Sequence, residues 1–177
     1  MKRKANLLAN LEDKIPKLRK IIDESRRLFE AIEAGDVRRF RLLIMNGANP
    51  FISDFDNRSL LSVAMDSDKK EFAAILCAGM IYRVLKKLPN YHDGFSSLKA
   101  THESGHTNLL LLKLLGIIQG FTLLENNERW KKELCASLYT CIDNEDIIME
   151  SLEFRAQRAT LFAKGGGLYN HQNGSMR

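Results

Sequence analysis

Five consecutive residues, His102-Glu103-Ser104-Gly105-His106, spell H-E-x-x-H. On an unbroken helix this spacing sets two imidazoles on one face, where they can hold zinc while the glutamate polarises a metal-bound water. Glu125 and Glu128 stand downstream as candidate third ligands. The pattern has chemical force only in that helical context, and Gly105 falls where a helix is readily interrupted. A break there separates His102 from His106. The expectation is therefore no metal, no cofactor and no catalytic residue, with His106 packing or hydrogen-bonding near an inter-helix turn.

No other segment offers stronger chemistry. Gly165-Gly166-Gly167 neither follows a strand pattern nor opens a helix, so it lacks the setting in which glycines cradle phosphate, and it reads as a linker into a disordered tail, Leu168 to Arg177. Cys77, Cys135 and Cys141 are an odd set whose spacings fit neither a disulfide framework nor a zinc site. They read as reduced, mostly buried thiols of an intracellular protein, in the cytoplasm or nucleus. Trp130, beside Arg129 and two lysines, reads as a partly buried anchor. The formal charge of +5 is weighted toward the N-terminus, where Lys2, Arg3, Lys4, Lys14, Lys17, Arg19, Lys20, Arg26 and Arg27 all precede the first recurring segment. A basic end favours acidic partners, but no aromatics are interleaved for stacking on bases, so nucleic acid is not favoured.

The elements that would position these residues are helical throughout. Leu7, Leu8, Leu11, Ile15, Leu18, Ile21 and Ile22 recur at three- and four-residue steps, which predicts a helix with one stripe facing a core. Pro16 either starts a new helix or kinks a continuous one. The run from Leu109 to Leu124 carries Lys113 and Gln119 and is short for a membrane span, so it is expected to be a buried helix followed by a turn at Gly120. Leu28, Leu61, Leu98 and Leu138 then mark a recurrence, with steps of 33, 37 and 40 residues (28 to 61, 61 to 98, 98 to 138). Each is expected to open one of a pair of short helices. A period of that length suits stacked helix pairs, since one pair cannot bury its apolar face alone.

These residues resemble the ankyrin-repeat family. Ala34-Gly35-Asp36, Phe40, Leu42, Leu43, Ile44 and Gly47-Ala48-Asn49-Pro50 are similar to the second half of one repeat. Asp54, Asn57, Ser59-Leu60-Leu61, Ala64, Phe72, Ile75, Leu76 and Gly79 resemble a second. Asp93-Gly94-Phe95-Ser96-Ser97-Leu98, Gly105-His106 and Leu109 to Leu112 resemble a third, while Ser137-Leu138 through Leu152 keeps only the helical rhythm. Gly35 and Gly105 fit left-handed helix ends, and Ser59 and Ser96 fit helix caps. The family's Thr-Pro-Leu-His is replaced by Ser-Leu-Leu-Ser at 59–62 and Ser-Ser-Leu-Lys at 96–99, which weakens the turns.

The resemblance implies an all-α, ankyrin-like helical-pair solenoid with an N-terminal capping helix. The expected division is a cap over residues 1–25, about four degenerate repeats over 26–155 and a disordered tail over 156–177. It implies a non-catalytic module that binds a protein partner through hairpin tips and a concave helix face. Carried over by position, the first tip spans Phe51, Ile52, Ser53, Asp54, Phe55 and Asp56, where Phe51 and Phe55 either reach a partner or fold back onto the next repeat. A second connection, Ile81 to Tyr91, brings Arg83, Lys86, Lys87 and Tyr91 to a long loop suited to an acidic or phosphorylated partner. The expected partner-binding set is thus Phe51, Ile52, Asp54, Phe55, Arg83 and Tyr91. Two rival readings stand beside it. The H-E-x-x-H string followed by leucines also resembles the start of membrane-anchored ATP-dependent metalloproteases, implying a zinc protease fragment, and the basic N-terminus suits nucleic acid or an acidic membrane.

Overall fold

The computed structural model describes residues 2–122 and 128–165, and the surroundings of side chains over 14–120 and 128–161. The described chain is all-helical: α1 Lys2–Ala34, α2 Val37–Met45, α3 Leu60–Asp66, α4 Lys70–Leu85, α5 Tyr91–Glu103, α6 Thr107–Thr122, α7 Glu128–Cys141 and α8 Glu145–Gly165, with a 3-10 turn at Ile142–Asn144. It divides into two compact units, Met1–Phe72 and Ala73–Arg177.

In the first unit, α1 packs on α2 and α3 through its C-terminal third. Leu28, Ala31 and Ile32 are fully buried there, and Phe40 of α2 meets Phe72 edge-on at 5.1 Å between ring centres. The rest of α1 departs from expectation. Ile15, Leu18, Ile21 and Ile22, expected on a core, are 49–61% exposed, because every described residue from Lys14 to Asp23 lies open to solvent and burial begins only near Leu28. Pro16 sits inside this helix, which continues through it and past residue 25, so the expected cap boundary falls within one element. The side chains of Leu7, Leu8 and Leu11 lie outside the described residues.

Helix α2 starts on Asp36, whose carboxylate accepts the Arg39 N–H at 2.9 Å, and α3 starts on Ser59, whose hydroxyl accepts the Ser62 N–H at 2.9 Å. The ammonium of Lys69 donates to the carbonyls of Ile32 and Glu33, covering the open end of α1. Helix α4 has apolar residues around its whole circumference, and from Phe72 to Leu85 all but Arg83 is buried.

In the second unit, α5 packs on α6 and α8, and α6 packs on α7. Leu98, Leu110, Leu114, Ile118, Leu134, Leu138, Ile148 and Leu152 form its core. Lys113 of α6 donates to the hydroxyls of Ser97 and Thr101 on α5, at 2.7 and 2.6 Å.

Four further expectations are corrected here. Leu28, Leu98 and Leu138 lie well inside their helices rather than opening them, and only Leu61 sits at a helix start. Ser96 is an exposed residue within α5, because that helix already begins at Tyr91. No turn occurs at Gly120, since α6 runs on to Thr122, and only one face of α6 is buried, with Leu109 and Leu112 exposed. Residues 156–165 are helical as the end of α8, not a disordered tail; residues 166–177 lie outside the described residues.

Beneath these differences a repeated geometry is present. Gly35, Asp68 and Gly105 each take a left-handed backbone, with φ of 69°, 51° and 68°. Each donates its N–H to the carbonyl three residues back, at 2.9–3.0 Å, and the next residue donates to the carbonyl five back, at 2.9–3.3 Å. This is a Schellman helix ending, made at each of the three turns inside a helix pair and again after α2, at Gly47 with φ 94°. A buried leucine (28, 61, 98) precedes each turn by seven residues, a small buried residue (Ala31, Ala64, Thr101) accepts the longer bond, and Phe40, Ala73 and Leu110 follow it in matching buried positions. The fourth pair, α7 and α8, is joined by the 3-10 turn instead.

Candidate functional site

The segment 51–59 is a hairpin rather than a loose loop. Ser53 and Ser59 form an antiparallel bridge, and the Leu60 N–H donates to the Ile52 carbonyl at 3.1 Å. Asp54 organises what lies between. One carboxylate oxygen accepts the N–H groups of Asp56 and Arg58, at 3.0 and 2.9 Å, and the other accepts the Arg58 guanidinium at 2.8 and 2.9 Å. Asn57 closes the turn in a left-handed conformation, φ 60°, that asparagine tolerates. The backbone N–H of Arg58, followed by its guanidinium, holds the Asp54 carboxyl below its ordinary pKa against the opposing effect of burial.

This bracing leaves Phe55 on the tip, fully exposed at 105% of its reference area, while Phe51 and Ile52 are half-buried at the base. The two phenylalanines of the expected tip thus differ in exposure. Asp54 spends its hydrogen-bonding capacity on the hairpin itself. Around Phe55 the tip carries Asp56, 81% exposed, and Arg58, already engaged with Asp54 and 3.9 Å from Asp56.

Arg83 and Tyr91 belong to the second unit, so the six expected binding residues do not fall in one unit. The expected long loop is also shorter than anticipated. The apolar residues Ile81, Tyr82, Val84 and Leu85 keep α4 helical to Leu85, and only residues 86–90 connect it to α5. Arg83 is an exposed helical residue. Tyr91 is the first residue of α5, half-buried and edge-on to Tyr82 at 6.2 Å, and burial followed by that neighbouring phenol pushes its hydroxyl up to about 12. It stays neutral through the physiological range.

The H-E-x-x-H string is divided by the turn at Gly105. His102 lies in the last turn of α5, and His106 stands exposed ahead of α6, its backbone N–H bonded to the Thr101 carbonyl. The imidazole of His102 is 2.9 Å from the Asp146 carboxylate. Among the described residues no cluster of three His, Cys, Asp or Glu side chains is placed to hold a metal ion; Glu125 lies outside them. Cys77 and Cys141 are buried thiols whose sulfurs are 3.9 Å apart, and Cys135 is half-buried. The hydrogen bond between them raises Cys77, reinforced by burial, and lowers Cys141; burial raises Cys135. No described helix is long and apolar enough to cross a membrane.

Sequence reasoning passed over two structural determinants. Asp68, in a Ser-Asp-Lys string resembling ordinary surface sequence, occupies the left-handed slot held elsewhere by glycine, and Lys69 bonds the end of α1. The Asp54–Arg58 brace was in principle visible as an opposite-charge pair four residues apart within turn-forming sequence. No family model, curated protein or solved structure matches the chain.

Proposed function

We propose that the chain is a degenerate ankyrin-like repeat protein that acts by binding a protein partner and performs no catalysis. The observation that carries this reading is Phe55: a fully exposed phenylalanine held on a rigid hairpin tip by Asp54 and Arg58. A large apolar side chain left in water on a braced turn gains roughly 1.5–3 kcal/mol when a partner covers it, with little ordering cost because the turn is already fixed. The partner chemistry that suits it is an apolar pocket with a cation at its rim, to face the exposed Asp56 carboxylate. The shared ending of α1, α3 and α5, each seven residues after a buried leucine, supports the repeat character of the scaffold.

Affinity capture with the immobilised full chain tests this reading. Phe55→Ala is expected to reduce retention of a specific partner at least about tenfold while far-UV circular dichroism is unchanged. Identical captured proteins from wild type and Phe55→Ala would defeat the assignment. Elemental analysis of the purified chain addresses the rival zinc chemistry. The expected result is no stoichiometric zinc, and one zinc per chain, lost on His102→Ala, would favour metal-dependent hydrolysis instead.

A further inference from the structure

Among the described residues, Ile15, Leu18, Ile21 and Ile22 on the apolar stripe of α1 are left uncovered, and the spacing of the stripe says what fits it. Leu8, Leu11, Ile15, Leu18, Ile22, Ser25, Phe29 and Ile32 alternate at three- and four-residue steps without a slip. That spacing fits the 3.5-residue period of a coiled-coil seam, with Leu8, Ile15, Ile22 and Phe29 at a and Leu11, Leu18, the polar Ser25 and Ile32 at d, widened at g by Leu7, Ile21 and Leu28. The last members turn into the core of the first unit, where Ile32 is buried and Phe29 half-buried. Ile15, Leu18 and Ile22 do not, and Ile21 flanks them, all about half exposed or more. A solitary helical stretch that carries Pro16 and the three isoleucines Ile15, Ile21 and Ile22 has little propensity of its own to persist in water. Tertiary cover is the usual source of such stability.

We propose that this stripe is the self-association surface of the protein: two copies pack their α1 helices antiparallel, with Ile15 of each against Leu18 of the other. The charges select both the partner and the direction. In this register the seam layers are Ile15 on Leu18 and Ile22 on Leu11, each made twice by symmetry, which is the self-complementarity a two-fold dimer requires. The flanking e positions then oppose Glu12 to Arg19, also twice, while the g position Lys14 lays its alkyl stem over Ile21. A parallel pair would instead oppose Lys14 to Arg19, like charge to like charge, at both flanks. An anionic membrane is the less suited cover. The solvent side of the helix mixes Asp23 and Glu24 with Lys17 and Lys20, one of them joined in a Lys20–Glu24 pair at 3.8 Å, rather than presenting a uniformly basic face.

Sedimentation equilibrium on the full chain decides the matter. The expected result is a concentration-dependent monomer–dimer equilibrium. Ile15→Glu/Leu18→Glu, at two exposed positions, is expected to lower the association constant at least about tenfold while the urea-unfolding midpoint of the dilute protein is kept. Arg19→Glu sets glutamate against Glu12 and weakens association roughly threefold or more, and Glu12→Arg/Arg19→Glu restores it. A chain that stays monomeric up to about 1 mM, or a dimer untouched by Ile15→Glu/Leu18→Glu, overturns the proposal. Tighter association of Arg19→Glu overturns the antiparallel direction. A monomer that sediments with phosphatidylserine vesicles and loses that affinity on Ile15→Glu/Leu18→Glu assigns the stripe to membrane and overturns the dimer.

Discussion

Asp68 has φ 51°, and the matching turns use Gly35 and Gly105 at 69° and 68°. A side chain in this region meets its own carbonyl, and aspartate tolerates the strain better than most residues but still pays part of it. Nothing lies within 4 Å of a Cβ built on Gly105, so Gly105→Ala tests backbone strain without a packing clash. It is expected to cost about 1 kcal/mol in urea unfolding, whereas Asp68→Gly is expected to be neutral to stabilising by up to about 1 kcal/mol. A Gly105→Ala variant as stable as wild type would remove the turn from the list of constraints. Asp54 yields a pH prediction with a definite sign. Its folded pKa lies below the ordinary carboxylate value, so the stabilisation it gives the hairpin is complete above that value and is lost as pH falls through the lowered folded pKa. The protection factor of the Arg58 amide, whose N–H the carboxylate holds, is expected to fall as pH drops through the lowered folded pKa, and Asp54→Asn to remove that step.

Helix α3 spans only seven residues, too few to hold by propensity, so its Ser59 cap matters more than a cap on a long helix. Ser59→Ala is expected to cost about 1 kcal/mol in thermal unfolding, and Ser96→Ala, altering an exposed residue inside α5, close to nothing. Both serines have similar sequence settings, and the contrast marks where sequence reading succeeds. Capping chemistry is local, but a helix begins wherever upstream contacts let it, and Tyr91 against Tyr82 starts α5 five residues before Ser96. The same distinction governs the rest. The spacing of Leu28, Leu61 and Leu98 picked out three matching buried positions because burial enforces helical periodicity, and Gly35 and Gly105 marked their turns because few other residues take that backbone. Periodicity reports that a helix has an apolar face, not what covers it, so Ile15, Leu18 and Ile22 read as core. Nor does composition settle which of two tip phenylalanines turns outward. The hydrogen bonds around Asp54 decide that, and they exist only once the hairpin closes.

Across the whole molecule, three helix-pair turns with matching buried positions make a quantitative statement about stability. If these helix pairs act as repeats, as proposed above, each draws its stability from its own core and its nearest neighbours, so equivalent substitutions should have equivalent, local effects. Leu28, Leu61 and Leu98 are all buried to within 1% of full and precede their turns by the same seven residues. Removing each side chain to alanine leaves a cavity of similar chemistry, and each is expected to cost roughly 2–5 kcal/mol, ordinarily a large share of a small domain's stability. Leu138 is equally buried, but its pair is joined by a 3-10 turn, and the position matching Phe40 and Leu110 holds the exposed Glu150. If the fourth pair is an adapted repeat, Leu138→Ala should accelerate amide exchange in α7 and α8 well before α1–α3, while Leu28→Ala should do the reverse. The measurement is hydrogen exchange on the four variants at one denaturant concentration. Uniform acceleration in all four variants would mean that the chain unfolds as a single cooperative block and that the recurrence of turns, though geometrically present, does not partition its stability.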